Sequence, residues 1–151
     1  MPVSAEKSVT AMSDVVKFHF DVDGHDFSSA GEASVAVKQK LRALGYPPDI
    51  IRKVSIAMYE GEINMVIHAS GGTADVEVHE DKIVIILRDT GPGIPNVELA
   101  MQEGYSTARE NIRVLGFGAG MGLPNMKKYT DSMQIDTTVG QGTTITMTVN
   151  L

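Results

Sequence analysis

The amino-acid sequence predicts one α+β domain, in which a single β-sheet carries its helices on one face. Three observations predict this architecture. Apolar and polar residues alternate in several short stretches, as in half-buried strands, and two longer stretches between them have helical periodicity. The resulting order of elements is β-α-α-β-β-loop-α-β-β, which suggests one sheet covered by helices on one side. A length of 151 residues fits a single domain with a sizeable core.

The first half of the chain contains one predicted strand and two predicted helices. Apolar residues alternate with polar ones over residues 16–22, and Asp-Gly ends this strand. Ser29 and Glu32 have the spacing of a capping box, which predicts a helix from there to about Leu44. A glycine stops that helix, and a Pro-Pro pair precedes the longest helical stretch, over residues 49–69.

The second half contains four predicted strands and one helix. Residues 74–78 alternate, whereas residues 83–87 read Ile-Val-Ile-Ile-Leu and are expected to be covered on both faces. Residues 94–117 are rich in loop signals with a little helical character. A helix is expected over residues 123–130, followed by a hairpin over residues 133–149 that turns at Gly-Gln-Gly.

The composition excludes several classes of protein. The chain has no cysteine, so disulfide scaffolds and thiolate metal sites are excluded. A net charge of −6 argues against a nucleic-acid-binding protein, and no apolar run approaches the roughly 18 residues that span a bilayer. The N-terminus lacks the layout of a secretory signal, so we expect a cytoplasmic protein. Residues 1–13 are expected to be a poorly ordered lead-in to a domain over residues 14–151.

The longest predicted helix places two polar side chains on its inward side. At about 100° per residue, the solvent stripe contains Arg52, Ser55, Tyr59 and Glu62. Opposite that stripe, between two apolar stripes, Glu60 and Asn64 lie one turn apart with His68 beyond them. Because an unpaired buried carboxylate is costly, we interpret Glu60 and Asn64 as the lining of a pocket. The alternative is that Lys53 or a backbone amide pairs with Glu60 in the core.

Two glycine-rich stretches follow. Asp89-Thr-Gly-Pro-Gly93 comes directly after the apolar strand, and Gly116-Phe-Gly-Ala-Gly-Met-Gly122 precedes the last helix. Familiar nucleotide motifs do not match them. No Gly-Lys dipeptide exists for a Walker A loop, and G-x-G-x-x-G would need glycine at position 121 or 123. The protein-kinase motifs HRD and DFG and the nucleophile elbow G-x-S-x-G are also absent.

The residues that remain each have a separate physical use. A carboxylate at a strand end, such as Asp89, can accept a hydrogen bond from the exocyclic amine of adenine, where guanine presents a carbonyl. Gly91 and Gly93 allow the backbone to pass close to a base. The second glycine run ends at a helix start, where free N–H groups favour phosphate oxygens. Asn64 offers a neutral oxygen to Mg²⁺, and Glu60 can take a proton from an attacking hydroxyl or water.

These elements, in this order, resemble the N, G1, G2 and G3 boxes of the GHKL ATPase superfamily, which includes gyrase, the heat-shock chaperone, MutL and histidine kinases. The boxes would be Glu60-x-x-x-Asn64, Asp89-x-Gly-x-Gly93, residues 116–122, and Gly142-Thr143. The resemblance covers residues 14–151. It implies the Bergerat ATP-binding fold of an HATPase_c domain: an α+β two-layer sandwich whose sheet is mixed but mostly antiparallel, with helices on one face.

Within the superfamily, the stretch E-G-E-I-N-M-V-I-H-A from Glu60 to Ala69 resembles the anti-sigma-factor serine/threonine kinase family. We expect no room for a transducer domain or a phosphoacceptor helix pair. The resemblance implies a protein kinase that uses ATP and Mg²⁺ to phosphorylate a serine on an anti-anti-sigma partner of the STAS fold. Many such kinases also bind a sigma factor, often as dimers.

Two other functions use the same pocket or fold. One is a nucleotide-gated protein that binds its partner without significant kinase activity. The other is a fragment of a histidine kinase, which we disfavour because no phosphoacceptor helix is seen ahead of residue 14.

The resemblance also implies roles for individual residues. Glu60 would be the general base, Asn64 the magnesium ligand, and Asp89 the adenine reader, with Thr143 nearby through a water. The remaining nucleotide-binding positions would be Gly91, Gly93, Ile94, Gly118, Gly120, Met121, Gly122 and Leu123. Among these, the last three glycines of the second run would cradle the phosphates.

The chain departs from the family pattern at the helix and leaves the lid open to interpretation. A small residue and threonine usually stand between the Glu and the Asn, whereas Gly61, Glu62 and Ile63 stand here. Because Glu62 falls on the predicted solvent stripe, we expect this departure to be harmless. Residues 104–115 occupy the place of the mobile ATP lid, in which Arg109 and Arg113 could reach a γ-phosphate or could equally be solvated.

Overall fold

The computed structural model describes residues 15–25, 27–102 and 122–151. The elements of the described residues, in chain order, are strand β1 (Val16–Asp23), a 3-10 turn (Phe27–Ser29), helices α1 (Glu32–Ala43) and α2 (Pro48–Ala69), strands β2 (Gly71–Val78) and β3 (Lys82–Asp89), short helices α3 (Val97–Ala100) and α4 (Gly122–Lys128), and strands β4 (Ser132–Thr138) and β5 (Gly142–Asn150). This order confirms the predicted one. The expected lead-in over residues 1–13 and the lid over residues 104–115 lie outside the described residues. No helix in the described part is both long and apolar enough to cross a membrane.

The five strands form one sheet in the order β1-β2-β3-β5-β4. All four pairings are antiparallel, so the described sheet contains no parallel pair, where the resemblance implied a mixed sheet. Hairpins connect β2 to β3 and β4 to β5, and the central pairing of β3 with β5 joins the two hairpins. The predicted α+β class is confirmed.

Helices α1 and α2 pack on one face of this sheet and form the core with it. On the central strand β3, Ile83, Ile85 and Leu87 point to that face and are buried, whereas Val84 and Ile86 are only half-buried. The prediction that this strand is covered on both faces is therefore wrong for the described residues. β-branched side chains are also favoured on the more exposed face of a strand, which is why an apolar run did not distinguish the two cases.

Helix α1 begins differently from the predicted capping box over residues 29–32. Its N-cap is Gly31, in the left-handed conformation at φ +99°, and no side chain of the cap closes the turn. The Glu62 carboxylate of α2 does so instead, accepting hydrogen bonds of 3.0 Å from the backbone N–H groups of Gly31, Ala33 and Ser34.

The position of Glu62 corrects the predicted solvent stripe. Its side chain is buried, with 2% of its surface exposed. The helical wheel considered α2 only against the sheet, but α1 packs along the side that the wheel assigned to solvent. The first N–H groups of a helix have no partner within the helix, so a carboxylate from a neighbouring helix satisfies them. The departure from the family pattern at this position therefore has a structural role.

Candidate functional site

Glu60 and Asn64 lie on α2 where the helix faces the start of α4. Both side chains are half-buried, while His68, which the wheel placed with them, is exposed. The side-chain amide of Asn125 donates a hydrogen bond to Glu60 Oε2 at 3.0 Å. The carboxylate thus has a partner, but it is neither Lys53 nor a backbone amide as the core alternative required.

Gly122, at the first position of α4, lies directly against the Asn64 amide. A Cβ at this position would stand 2.9 Å from Asn64 Oδ1, closer than real Cβ atoms approach other groups, and 3.0 Å from Nδ2, which is a tight contact. The amide also points Nδ2 toward the Met126 sulfur at 3.9 Å. Glycine at position 122 is therefore what allows the end of the second glycine run to reach the Asn64 side chain.

Asp89 is the last residue of β3, and two backbone N–H groups fix its side chain. Gly91 N donates to Asp89 Oδ1 at 2.9 Å, and Thr143 N donates to the same oxygen at 3.3 Å. Asp89 and Thr143 are paired across β3 and β5, so the sheet register brings them together. Among the described residues no hydrogen bond reaches Oδ2, which leaves this oxygen able to accept one from a ligand.

The turn after Asp89 is built on close approaches of bare backbone. A Cβ at Gly91 would stand 2.6 Å from the Ala69 Cβ at the end of α2. Gly93 has φ +82°, where L side chains are strained, and a Cβ there would stand 2.6 Å from the Thr138 carbonyl oxygen. The two glycines thus hold this turn between α2 and the β4–β5 hairpin.

A pair of hydroxyl groups connects this turn to the sheet. Ile94 N donates to Thr137 Oγ1 at 2.8 Å, and that hydroxyl lies 2.9 Å from Thr143 Oγ1. Thr143 is buried, with 7% of its surface exposed. Sequence reasoning missed Thr137, although the alternation of the last hairpin placed it on the same face as Thr143.

The structure brings several of the predicted site residues onto one helix and leaves others undescribed. Gly91 of the turn after β3 lies against Ala69 of α2, and Gly122 at the start of α4 lies against Asn64 of the same helix. Leu123 is buried within the hydrophobic core, and Ile94 packs against that core. Gly118, Gly120 and Met121, with the lid residues Arg109 and Arg113, lie outside the described residues.

The oxygen atoms of Glu60, Asn64 and Asp89 fit a nucleotide with a divalent cation. Asp89 presents a carboxylate oxygen that can accept a hydrogen bond from an amine, and Gly91 and Gly93 in the turn that follows carry no side chain. Asn64 and Glu60 present oxygen atoms, which are the ligands that Mg²⁺ uses in proteins. Because Gly122 has no side chain, it does not cover the Asn64 amide against which it lies.

Comparison with known proteins agrees with this geometry. A family model described as "Histidine kinase-, DNA gyrase B-, and HSP90-like ATPase" matches residues 50–151, well over half of the chain. The chain belongs to this ATPase family. The GHKL resemblance is thereby confirmed, and ATP is the nucleotide that a domain of this family binds.

Individual relatives show which members of the ATPase family this chain resembles. The chain is 31% identical over 119 residues to an anti-sigma F factor of Clostridium beijerinckii, covering 75% of this chain and 80% of that relative. It is 30% identical over 108 residues to the serine/threonine-protein kinase RsbT of Bacillus subtilis, covering 69% of this chain and 75% of that one. An anti-sigma F factor of Bacillus licheniformis is 33% identical over 125 residues. These matches confirm the resemblance to the anti-sigma-factor kinase family.

Solved structures share the fold of the ATPase domain at low identity. A crystal structure of the SiaB–SiaC complex from Pseudomonas aeruginosa matches with a TM-score of 0.55 and 12% identity, over 100% of this chain and 99% of that chain. The mycobacterial sensor histidine kinase MprB matches with a TM-score of 0.51 and 17% identity, over 89% and 97% of the two chains. At these identities the matches establish the fold alone.

Proposed function

We propose that this protein is an ATP- and magnesium-dependent serine/threonine protein kinase of the anti-sigma-factor type, which phosphorylates a STAS-like partner in a bacterial regulatory switch. The observation that carries the proposal is that Glu60 and Asn64 lie on the same side of α2. These two half-buried side chains stand one turn apart on α2 and face the end of a glycine run, in a domain of an ATPase family. A relative named as a serine/threonine-protein kinase supports it.

The chain's own residues divide the work of this reaction. Asp89 would accept a hydrogen bond from the adenine amine through Oδ2, because its Oδ1 is already held by two backbone N–H groups. Asn64 would hold Mg²⁺ through Oδ1, and the bound ion supplies charge stabilisation to the phosphates. Thr143 would stand beside the adenine with Asp89.

Glu60 would act as the general base. Its carboxylate takes the proton of the partner's serine hydroxyl while the serine oxygen forms a bond to the γ-phosphorus. The bond between that phosphorus and the bridging oxygen of ADP breaks, so the products are phosphoserine and ADP. The proposal extends to a sigma factor as a second partner, to action in the cytoplasm, and to a homodimer as the working form.

A second candidate function is a nucleotide-gated binding protein with little phosphotransfer. Several relatives are named for anti-sigma activity rather than for a kinase reaction, and this observation favours it. Nucleotide state would then select between partners by shifting a conformational equilibrium.

One experiment separates the two functions. The full chain is incubated with γ-labelled ATP, Mg²⁺ and each STAS-domain protein of the same genome, beside Glu60→Gln and Asp89→Asn. We expect labelled serine with the parent chain, roughly 10²- to 10⁴-fold slower transfer with Glu60→Gln at nearly unchanged ATP affinity, and weakened ATP binding with Asp89→Asn. ATP binding without any labelled partner would favour the binding protein. Transfer by Glu60→Gln at the parental rate would remove Glu60 from the role of base.

A further inference from the structure

Asn125 makes the contact that orients Glu60. Its Nδ2 donates to Glu60 Oε2 at 3.0 Å, and both side chains are half-buried. Within residues 15–25, 27–102 and 122–151, no other hydrogen bond and no ion pair reaches this carboxylate. The bond occupies one oxygen of the carboxylate and leaves Oε1 for another partner.

Helices α4 and α2 are matched residue by residue at this contact. Gly122 of α4 lies against Asn64 of α2. Asn125, three residues after Gly122, donates a hydrogen bond to Glu60, which lies four residues before Asn64. Residues three and four apart share one helix face, so the two helices run past each other in opposite directions with these faces together. The side chains proposed to hold the metal and to take the proton are therefore both contacted by one short helix.

The core holds α4 in this position. Met126, next to Asn125, is fully buried with 0% of its surface exposed. A Cβ at Gly61 of α2 would stand 3.2 Å from Met126 Cε, so the absence of a side chain there lets the methionine pack closely on α2. Asn125 thus extends from a fixed backbone toward a glutamate that has three rotatable side-chain bonds.

The chemistry of the donor suits a general base. A lysine or arginine at this position would form an ion pair with the carboxylate and would place a full positive charge beside it. The neutral amide of Asn125 orients the carboxylate without adding that charge. Orientation matters because proton transfer requires hydrogen-bond geometry between the base and the hydroxyl.

We propose that Asn125 is a positioning residue, whose side-chain amide holds Glu60 Oε2 so that Oε1 faces the hydroxyl of the phosphate acceptor. The inference rests on the proposed role of Glu60. It adds a residue from α4 to the machinery, and it connects the end of the phosphate-binding glycine run to the base.

The test uses the full chain with γ-labelled ATP, Mg²⁺ and the pooled STAS-domain proteins of the same genome. Asn125→Asp keeps the shape but replaces the donor with a carboxylate that repels Glu60, and Asn125→Leu removes the donor. We expect both variants to lower kcat roughly 10- to 100-fold, the size associated with a small misplacement of a catalytic group, while the ATP dissociation constant changes less than about 3-fold. Asn125→Gln, which keeps an N–H donor, should recover part of the rate.

Controls separate positioning from structure. Lys127→Ala changes an exposed side chain of the same helix and should leave kcat and ATP affinity at their parental values. Thermal unfolding should place all the Asn125 variants close to the parent. Parental kcat in Asn125→Asp and Asn125→Leu, with transfer still lost in Glu60→Gln, would overturn this inference and leave the proposed function standing. A parent chain that binds ATP but labels no partner would overturn both. A fall in kcat matched by an equal fall in ATP affinity would also overturn it.

Discussion

Replacing Glu62 with alanine removes the acceptor of three hydrogen bonds at the start of α1. The three N–H groups belong to Gly31, Ala33 and Ser34, all of which are buried, so water cannot readily replace the carboxylate. A hydrogen bond to a charged group contributes about 1.5–3 kcal/mol, but three bonds to one carboxylate are not additive. Each buried N–H group that is left without an acceptor costs about 1–3 kcal/mol, so we take about 3–5 kcal/mol for the three together.

That loss is large for a domain of this length. Stabilities of small domains are about 5–15 kcal/mol in total, and each kcal/mol shifts Tm by about 2–4 °C at this size. We therefore expect Glu62→Ala to lower Tm by roughly 6–20 °C, measured by circular dichroism with a urea titration alongside. Glu62→Gln should fall between alanine and the parent, because one of its two terminal atoms is an N–H donor that faces other donors.

The matched control is Glu32→Ala, which removes an exposed carboxylate from the first turn of the same helix. Its effect should be only the helix-dipole contribution, about 0.3–1 kcal/mol. A Tm for Glu62→Ala within about 2 °C of the parent, or equal to that of Glu32→Ala, would contradict the reasoning that the buried Glu62 carboxylate caps the N-terminus of α1.

Three further outcomes are expected. Asp89→Asn should weaken ATP binding roughly 10- to 100-fold by calorimetry, because it loses a charged acceptor, and an unchanged affinity would disprove the adenine role. Gly122→Ala would place a Cβ 2.9 Å from Asn64 Oδ1, so the magnesium dependence of ATP binding should fall, and retention of the full dependence would contradict the metal role. His19 Nδ1 donates a hydrogen bond of 2.6 Å to Asp75 Oδ1, and this bond, together with the charge of the carboxylate, raises the pKa of His19 above its usual value. Asp75→Asn should return that pKa toward the ordinary range in an NMR titration. Since the folded pKa is raised, the stabilisation is fully present below a pH of about 6.5 and is lost as pH rises through the raised pKa; identical titrations in the two proteins would contradict this.

The parts of the fold that sequence predicted are those governed by local patterns. Alternation over residues 16–22 and over the last hairpin identified strands because side chains in a strand change face at every residue. The Asp89 turn was located by its glycines, whereas the nearness of Thr143 to Asp89 was implied only by the family resemblance and not by any local pattern. The helix over residues 123–130 was predicted within two residues of its ends.

The errors arise where one element depends on another. Glu62 appears solvent-facing on a wheel, and only the position of α1 shows that it is enclosed. Val84 and Ile86 read as buried because composition does not show which face of the sheet the helices cover. Asn125 and Thr137 carry no signal in a motif, since their importance comes from the register of α4 on α2 and of β4 on β5.

Two carboxylates that are two residues apart on α2 face different neighbours, Glu62 toward α1 and Glu60 toward α4. A random mutagenesis screen for inactive protein would recover both positions, one because the fold is destabilised and the other, under the proposed mechanism, because the serine proton has no acceptor. Inactivity by itself therefore does not identify the base. Soluble yield and nucleotide affinity distinguish such variants. A variant at position 62 should lose activity as the temperature rises, whereas a variant at position 60 should be inactive even when it is folded and has ATP bound.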